Sequence, residues 1–135
     1  MHKLSENYKV INLLTIQNIT SATTTNGTGV DCIKMADDLV AVLQLGTMTG
    51  THTCDVKIQE SDALGSGYAD ISGATFTQAD QDDGDTIATL GFKRTKRYVR
   101  VVVTTAGTVT ANNIGITGLV RANQGASDLN STDPA

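Results

Sequence analysis

The stretch at residues 97–105, Arg-Tyr-Val-Arg-Val-Val-Val-Thr-Thr, constrains the fold more than any other part of this chain. It is β-branched nearly throughout, and side chains alternate along a strand. Val99, Val101 and Val103 therefore share one face, while Tyr98, Arg100, Val102 and Thr104 share the other. One face is apolar and the other mixes charge with apolar bulk. That pattern belongs to a sheet with one side on a core, so the three valines of the first face are expected in the interior.

Similar segments recur with turn residues between them. Residues 12–20 form a first strand candidate, with Leu14 and Ile16 on one face and Leu13 on the other. Residues 30–35 form a second, with Val30 and Cys32 together. Residues 38–45 are apolar on both faces, which marks a central strand, or a buried helix by the alternative reading. Their length, their two valines and the exit at Gly46 favour the strand. Residues 54–60 alternate cleanly, with Cys54, Val56 and Ile58 pointing inward. Residues 68–71, 74–77, 86–92 and 114–120 complete the set. Residues 47–53 and 106–113 read as Thr/Gly-rich connections, and Asn26-Gly27 as a turn. About eight short antiparallel strands follow, the pattern of an all-β fold of the β-sandwich, jelly-roll-like type.

Size and composition agree with one domain. The chain has 135 residues, 18% charged and 4% aromatic, with a single proline and no tryptophan. Residues 12–121 read as the β-sandwich domain, residues 1–11 as an N-terminal arm with one short helical turn near Ser5 to Val10, and residues 122–135 as a tail without a core-forming pattern. The formal net charge of −4 disfavours general nucleic-acid binding. No apolar run approaches the roughly 20 residues of a membrane helix, and no signal peptide is read at the N-terminus. Cys32 and Cys54 are too few for a disulfide scaffold and are expected as buried, reduced thiols, with a bridge or a metal role as the alternatives.

Few residues suggest chemistry. The acidic run Asp80, Asp82, Asp83 and Asp85 invites a calcium reading, but an EF-hand loop counted from Asp80 needs Gly and Glu where Asp85 and Gly91 stand. His52 and Cys54 lack a second pair of zinc ligands. No G-x-S-x-G elbow or phosphate loop is present. The expectation is a non-enzymatic protein without a cofactor. Lys93, Arg94, Lys96, Arg97 and Arg100 form a basic hairpin tip, read as a soluble turn, a protein interface or, less readily, a nucleic-acid contact.

Three segments carry a resemblance. Residues 56–62 (Val-Lys-Ile-Gln-Glu-Ser-Asp), 68–77 with Tyr-Ala-Asp-Ile and Ala-Thr-Phe-Thr, and 96–103 (Lys-Arg-Tyr-Val-Arg-Val-Val-Val) resemble small virion proteins of tailed phages. The resemblance spans roughly residues 29–120 and implies a head-associated decoration, or cement, protein. Such a protein binds the major capsid protein on the capsid exterior, often as a trimer. It would be made in the host cytoplasm and end in the virion. A carbohydrate-binding β-sandwich module of a virion fibre, or a head–tail connector or tail component, are the alternatives. For self-association, the acidic run before residue 86 and the basic run after residue 92 are expected to meet across a head-to-tail neighbour. Tyr98 and Val102 would supply apolar contact, with Arg100 beside them.

Overall fold

In the computed structural model, which describes residues 7–122, the chain forms eight strands: β1 Tyr8–Asn18, β2 Thr24–Asn26, β3 Val30–Asp31, β4 Met35–Ser61, β5 Ala69–Thr75, β6 Ala79–Asp80, β7 Ile87–Lys93 and β8 Tyr98–Ala122. One 3-10 turn, Gln81–Asp83, lies between β6 and β7. All pairings are antiparallel.

β4 and β8 dominate. They are 27 and 25 residues long and pair with each other from Met35 opposite Ala122 to Ser61 opposite Tyr98. A straight strand of that length would reach about 80–90 Å at ~3.3 Å per residue, far beyond the diameter of a domain this size. The pair therefore bends, and the register shifts between Leu45 and Met48 and between Thr49 and Gly50 mark the place. Gly50 and Gly107 have φ of 108° and 104° there. A Cβ on Gly50 would lie 2.2 Å from the Thr108 carbonyl oxygen, and one on Gly107 2.5 Å from that of Thr51. Only glycine tolerates both the conformation and the approach.

The bend divides the sheet into two layers. The first runs β1, the C-terminal half of β8, the N-terminal half of β4, then β7. The second runs β2 and β3, the N-terminal half of β8, the C-terminal half of β4, then β5 and β6. Two four-row layers wound from one long antiparallel pair make a jelly-roll sandwich. Its single core joins Leu13, Leu43, Ile114 and Ile116 of the first layer to Val56, Ile58, Val101 and Val103 of the second.

A polar group sits inside the bend. Asn112 is fully buried, and every polar atom of it is used. Its Oδ1 lies 3.0 Å from His52 Nε2, and its Nδ2 lies 3.8 Å from Cys54 Sγ. Its backbone N–H donates to Asn18 Oδ1 at 2.9 Å, and its carbonyl accepts from Ile19 N–H at 3.0 Å. An amide oxygen can only accept, so His52 Nε2 carries the ring proton. The node ties the end of β1 to both long strands where their ladder is interrupted.

Several sequence expectations change. Residues 47–53 and 106–113 are strand, because they are the bent middle of β4 and β8; abundant Thr and Gly made them read as loops. Residues 24–26 pair with β8 despite the adjoining Asn-Gly turn. β1 begins at Tyr8, so residues 8–11 are strand, and the helical turn expected from Ser5 to Val10 gives way to strand from Tyr8 onward, with Ser5 itself outside the described residues. The face assignment in β1 is corrected too. Leu13 and Leu14 are both buried while Ile16 is 78% exposed, because register shifts follow Asn12 and Leu14 and reset the alternation. Residues 123–135 lie outside the described residues.

Val99, Val101 and Val103 are wholly buried. Val101→Asp should therefore cost about 4 kcal/mol or more, since an unpaired carboxylate would have to be desolvated or neutralised. Gly107→Ala should cost about 1–3 kcal/mol through its left-handed backbone alone, plus the clash with Thr51. Urea midpoints of the two variants against the parent check both.

Candidate interaction surfaces

The two layers expose very different outer faces. On the second, alternation along β4 and β8 brings Lys57, Gln59, Tyr98, Arg100, Val102 and Thr104 outward. The polar ones are bonded to one another and to their neighbours. Arg100 Nε donates to Gln59 Oε1 at 2.9 Å, and its guanidinium lies 4.1 Å from the Tyr68 ring centroid. Gln59 Nε2 and Lys57 Nζ both donate to Asp70, at 2.8 and 3.1 Å. Arg97 makes a two-point contact with Asp31, at 2.9 and 2.7 Å, and lies over Tyr98 at 5.1 Å. The hydrogen bonds from Arg97 hold the Asp31 carboxyl below its usual range, and those from Gln59 and then Lys57 do the same for Asp70. At the end of this layer burial pushes the Glu60 carboxyl up, but hydrogen bonds from Thr95 and Lys96 outweigh it, and the net shift is downward.

The first layer's outer face is nearly free of charge. Val10, Leu119, Val40 and Gly91 stand opposite one another across its four strands. Asn12, Thr117, Val42 and Thr89 form the next row. Gln44 pairs with Gly115 and Ile87, and Ile16 lies over Gly115. Val10 is 66% and Ile87 64% exposed. Charge gathers only at one end, where Tyr8 pairs with Arg121 and Asp38 with Lys93. The uncharged rows, in which Asn12, Thr117, Thr89 and Gln44 stand among the valines, leucine and isoleucines, cover about 400 Å² at strand spacings of ~4.8 Å, within the size range of the largest apolar patch on a typical monomer.

A shallow cavity of about 560 Å³ opens where the apolar rows meet the charged end. Val40 and Leu119 line it over the buried Leu39 and Phe92, with Tyr8, Asp38, Lys93 and Arg121 around them. Gly91 also lines it, and a Cβ there would meet nothing within 4 Å.

The residues expected to form a charge-matched interface are dispersed. The acidic and basic runs do bracket β7. The aspartates build their own turn: Asp80 Oδ1 accepts from Asp82 N–H at 2.8 Å, Asp83 Oδ2 accepts from Asp80 N–H at 2.9 Å, and Asp85 N–H donates to the Gly46 carbonyl at 2.9 Å. Among the described residues, no three His, Cys, Asp or Glu side chains gather as a metal site. Arg94 is not a surface cation. It is buried, and its guanidinium donates to the carbonyls of Cys32, Met35 and Lys96 at 2.6, 2.7 and 3.0 Å. Val102 is also buried, between its strand neighbours Lys57 and Asn26, so it offers no free contact. Lys93 faces the cavity, while Arg97, Tyr98 and Arg100 belong to the opposite outer face. Lys96 stands between, its N–H donating to Glu60. Sequence reasoning missed the apolar face because its rows come from four strands far apart in the chain. The exposed valines and isoleucines were legible only as core candidates.

Both cysteines are free and buried. Burial pushes the thiols of Cys32 and Cys54 up to about 11.

No family model and no curated protein matches the chain. Among solved structures it is similar to the N-terminal endo-1,4-β-D-xylanase 10B of Clostridium thermocellum, CBM22-1–GH10 modules complexed with xylohexaose. The TM-score is 0.53 at 10% identity, over 89% of this chain and 27% of that one, so the chain spans about a quarter of its length. A second likeness is to the Eiger TNF of S. frugiperda, at TM-score 0.39 and 12% identity over 96% and 98% of the two chains. The first likeness is one of fold.

Two pH dependences follow. Asp31, Asp70 and Glu60 have lowered folded values, so their stabilisation is present above the unfolded range near pH 4 and is lost as pH falls below it. Asp31→Asn should flatten that acid-side fall in thermal midpoint. The raised thiols act on the other side: they are neutral in both states below about pH 9, and stability is lost as pH rises from there towards 11. At pH 8 a thiol reagent should label neither cysteine until denaturant is added, and both afterwards.

Proposed function

We propose that this chain is a non-enzymatic structural protein of a tailed-phage virion. It seats on the outside of the assembled capsid and stabilises the shell as a decoration, or cement, protein. The observation that carries the reading is the uncharged outer face of the first layer, with charge at one end only. Such a face suits a partner that covers it, and the resemblance of residues 56–62 and 96–103 to phage virion proteins favours the major capsid protein as that partner. The mechanism is mass action. A ligand that binds only the assembled lattice stabilises it, by about 2.7 kcal/mol per site at a hundred times its Kd. Assembly of this chain as a trimer would multiply such contacts over neighbouring capsid subunits.

The carbohydrate-binding alternative has less behind it. Phe76 and Phe92 are buried, and Tyr68 and Tyr98 each lie beneath a guanidinium. Stacking platforms for a sugar ring are thereby reduced to Tyr8 at the cavity rim.

The test is to look for the chain among the proteins of purified virions from its source, then to strip it from heads and measure its rebinding. The expected result is presence in proportion to capsid subunits and binding to assembled heads only. Absence from virions, or equal binding to unassembled capsid subunits, overturns the reading. Val10→Glu places a charge on the face outside the core. It should weaken rebinding about tenfold or more, equivalent to ~1.4 kcal/mol, while leaving the thermal midpoint near that of the parent.

A further inference from the structure

The charged end of the first layer's outer face is complementary to itself. Tyr8 pairs with Arg121 and Asp38 with Lys93, and the pairing of Leu39 with Val120 sets the two pairs side by side. Across the four strands the row therefore reads Tyr8, Arg121, Asp38, Lys93. Asp38, Lys93 and Arg121 are exposed. Among the described residues the ion pairs are Lys57–Asp70 and Arg97–Asp31, and neither includes a residue of this row. Its charges are neighbours on the sheet, yet they stay unpaired within the chain.

A two-fold axis can lay this face on its own copy in two ways. With the axis across the strands, the charged row lies over the far end of the second copy, where Gln44 pairs with Ile87. Its charges then lose water without gaining partners. With the axis along the strands, between β8 and β4, the order of the row reverses instead. Asp38 meets Arg121 of the second copy and Lys93 meets its Tyr8, and each contact is made twice. In the next row Val40 lies against Leu119 of the second copy, also twice. Sheets packed face to face stand about 10 Å apart, a gap that Arg and Lys side chains can span to an Asp or a Tyr. With the charged row included, the face covers about 500 Å² at strand spacings of ~4.8 Å. Two copies would then bury about 1,000 Å², below the ~1,200–2,000 Å² of stable complexes.

We propose that two copies of this chain pair face to face through the first layer, with the two-fold axis along β4 and β8 and with Asp38 of each against Arg121 of the other. The charges fix the register, since every other placement of the face on its copy separates them. The small area makes the pair one that dissociates readily. It covers the face proposed above to seat on a capsid, so the pair must open before a partner takes that face. The inference goes beyond that reading and does not depend on the partner being a capsid.

The test is sedimentation of the full chain from about 10 μM to about 1 mM, for the parent, for Asp38→Arg and for Arg121→Asp. The parent should pass from one copy to two as concentration rises. Each single variant sets like charges against each other at both contacts and should weaken the pair about tenfold or more. An equimolar mixture of the two variants should regain it, because both contacts between unlike variants again join a cation to a carboxylate. Val40→Glu, which sets a carboxylate against Leu119 of the second copy, should weaken the pair by a similar factor without touching the charged row. A parent that stays single at 1 mM overturns the proposal. So do variants that associate as the parent does, a mixture that stays single, or a mixture that recovers with a mass other than two copies. None of these outcomes alters the presence of the chain on virions, so the two readings fail separately.

Discussion

Everything in this fold hangs on one antiparallel pair that is too long to stay straight. β4 and β8 run together through both layers, and each shorter strand finds its place by pairing with one of them. The bend determines how the layers meet. Gly50 and Gly107 permit it by taking a backbone conformation and a closeness that other residues cannot. The Asn112 node holds it, replacing ladder hydrogen bonds lost at the irregular register with bonds to His52, Asn18 and Ile19. A buried amide is costly when any of its atoms is left without a partner. Here all of them are used, which makes the node specific to one bend geometry and gives the two layers a fixed relation.

That fixed relation explains why the two outer faces can differ so much. A layer with its inner side on a core needs only its inward positions apolar. The second layer follows that rule, and its outward side chains satisfy one another in the Arg100, Gln59, Asp70 and Lys57 chain and in the Arg97–Asp31 pair. Exposed pairs of this kind add little stability individually, but they occupy the polar groups and leave few free for a partner. The first layer departs from the rule. Its outward positions hold Val10, Val40, Ile87 and Leu119, which gain nothing from water and are not needed by the core.

Much of this was legible in the residues, and the rest was hidden for identifiable reasons. Alternation at residues 54–60 and 97–105 gave the correct inward faces, since a clean period of two leaves no ambiguity. The strand count and the jelly-roll class followed from turn residues and spacing. The fusion of two pairs of strands into β4 and β8 did not. A bend needs glycine and bulges, and the same residues in a sequence read as a loop. Bulges also misled the reading of β1, where two register shifts left Leu13 beside Leu14 inside and turned Ile16 outward. Arg94 looked like its basic neighbours, and only the carbonyls that converge on it show that it works in the interior. The interaction face was the least legible part. Its rows join residues about 110 apart, such as Val10 and Leu119, and no local pattern records that adjacency.

The fold shared with about a quarter of a xylanase chain says little about use, because jelly rolls host unrelated activities and function lies in the surface they carry. What separates one use from another is the chemistry at the outward positions. Sugar recognition requires aromatic faces free to stack and polar groups free to bond. In this chain Arg97 and Arg100 cover two of the three tyrosines, and the polar face is already bonded to itself. Association with another protein requires the opposite: apolar area on a rigid support, with charge kept to the margin to set orientation. The first layer supplies the area, the bent pair beneath it supplies the rigidity, and Lys93, Arg121 and Asp38 supply the margin at one end only. A face charged at one end has a direction, so any partner that covers it meets a different chemistry at each end, which gives the two ends unequal parts in setting orientation.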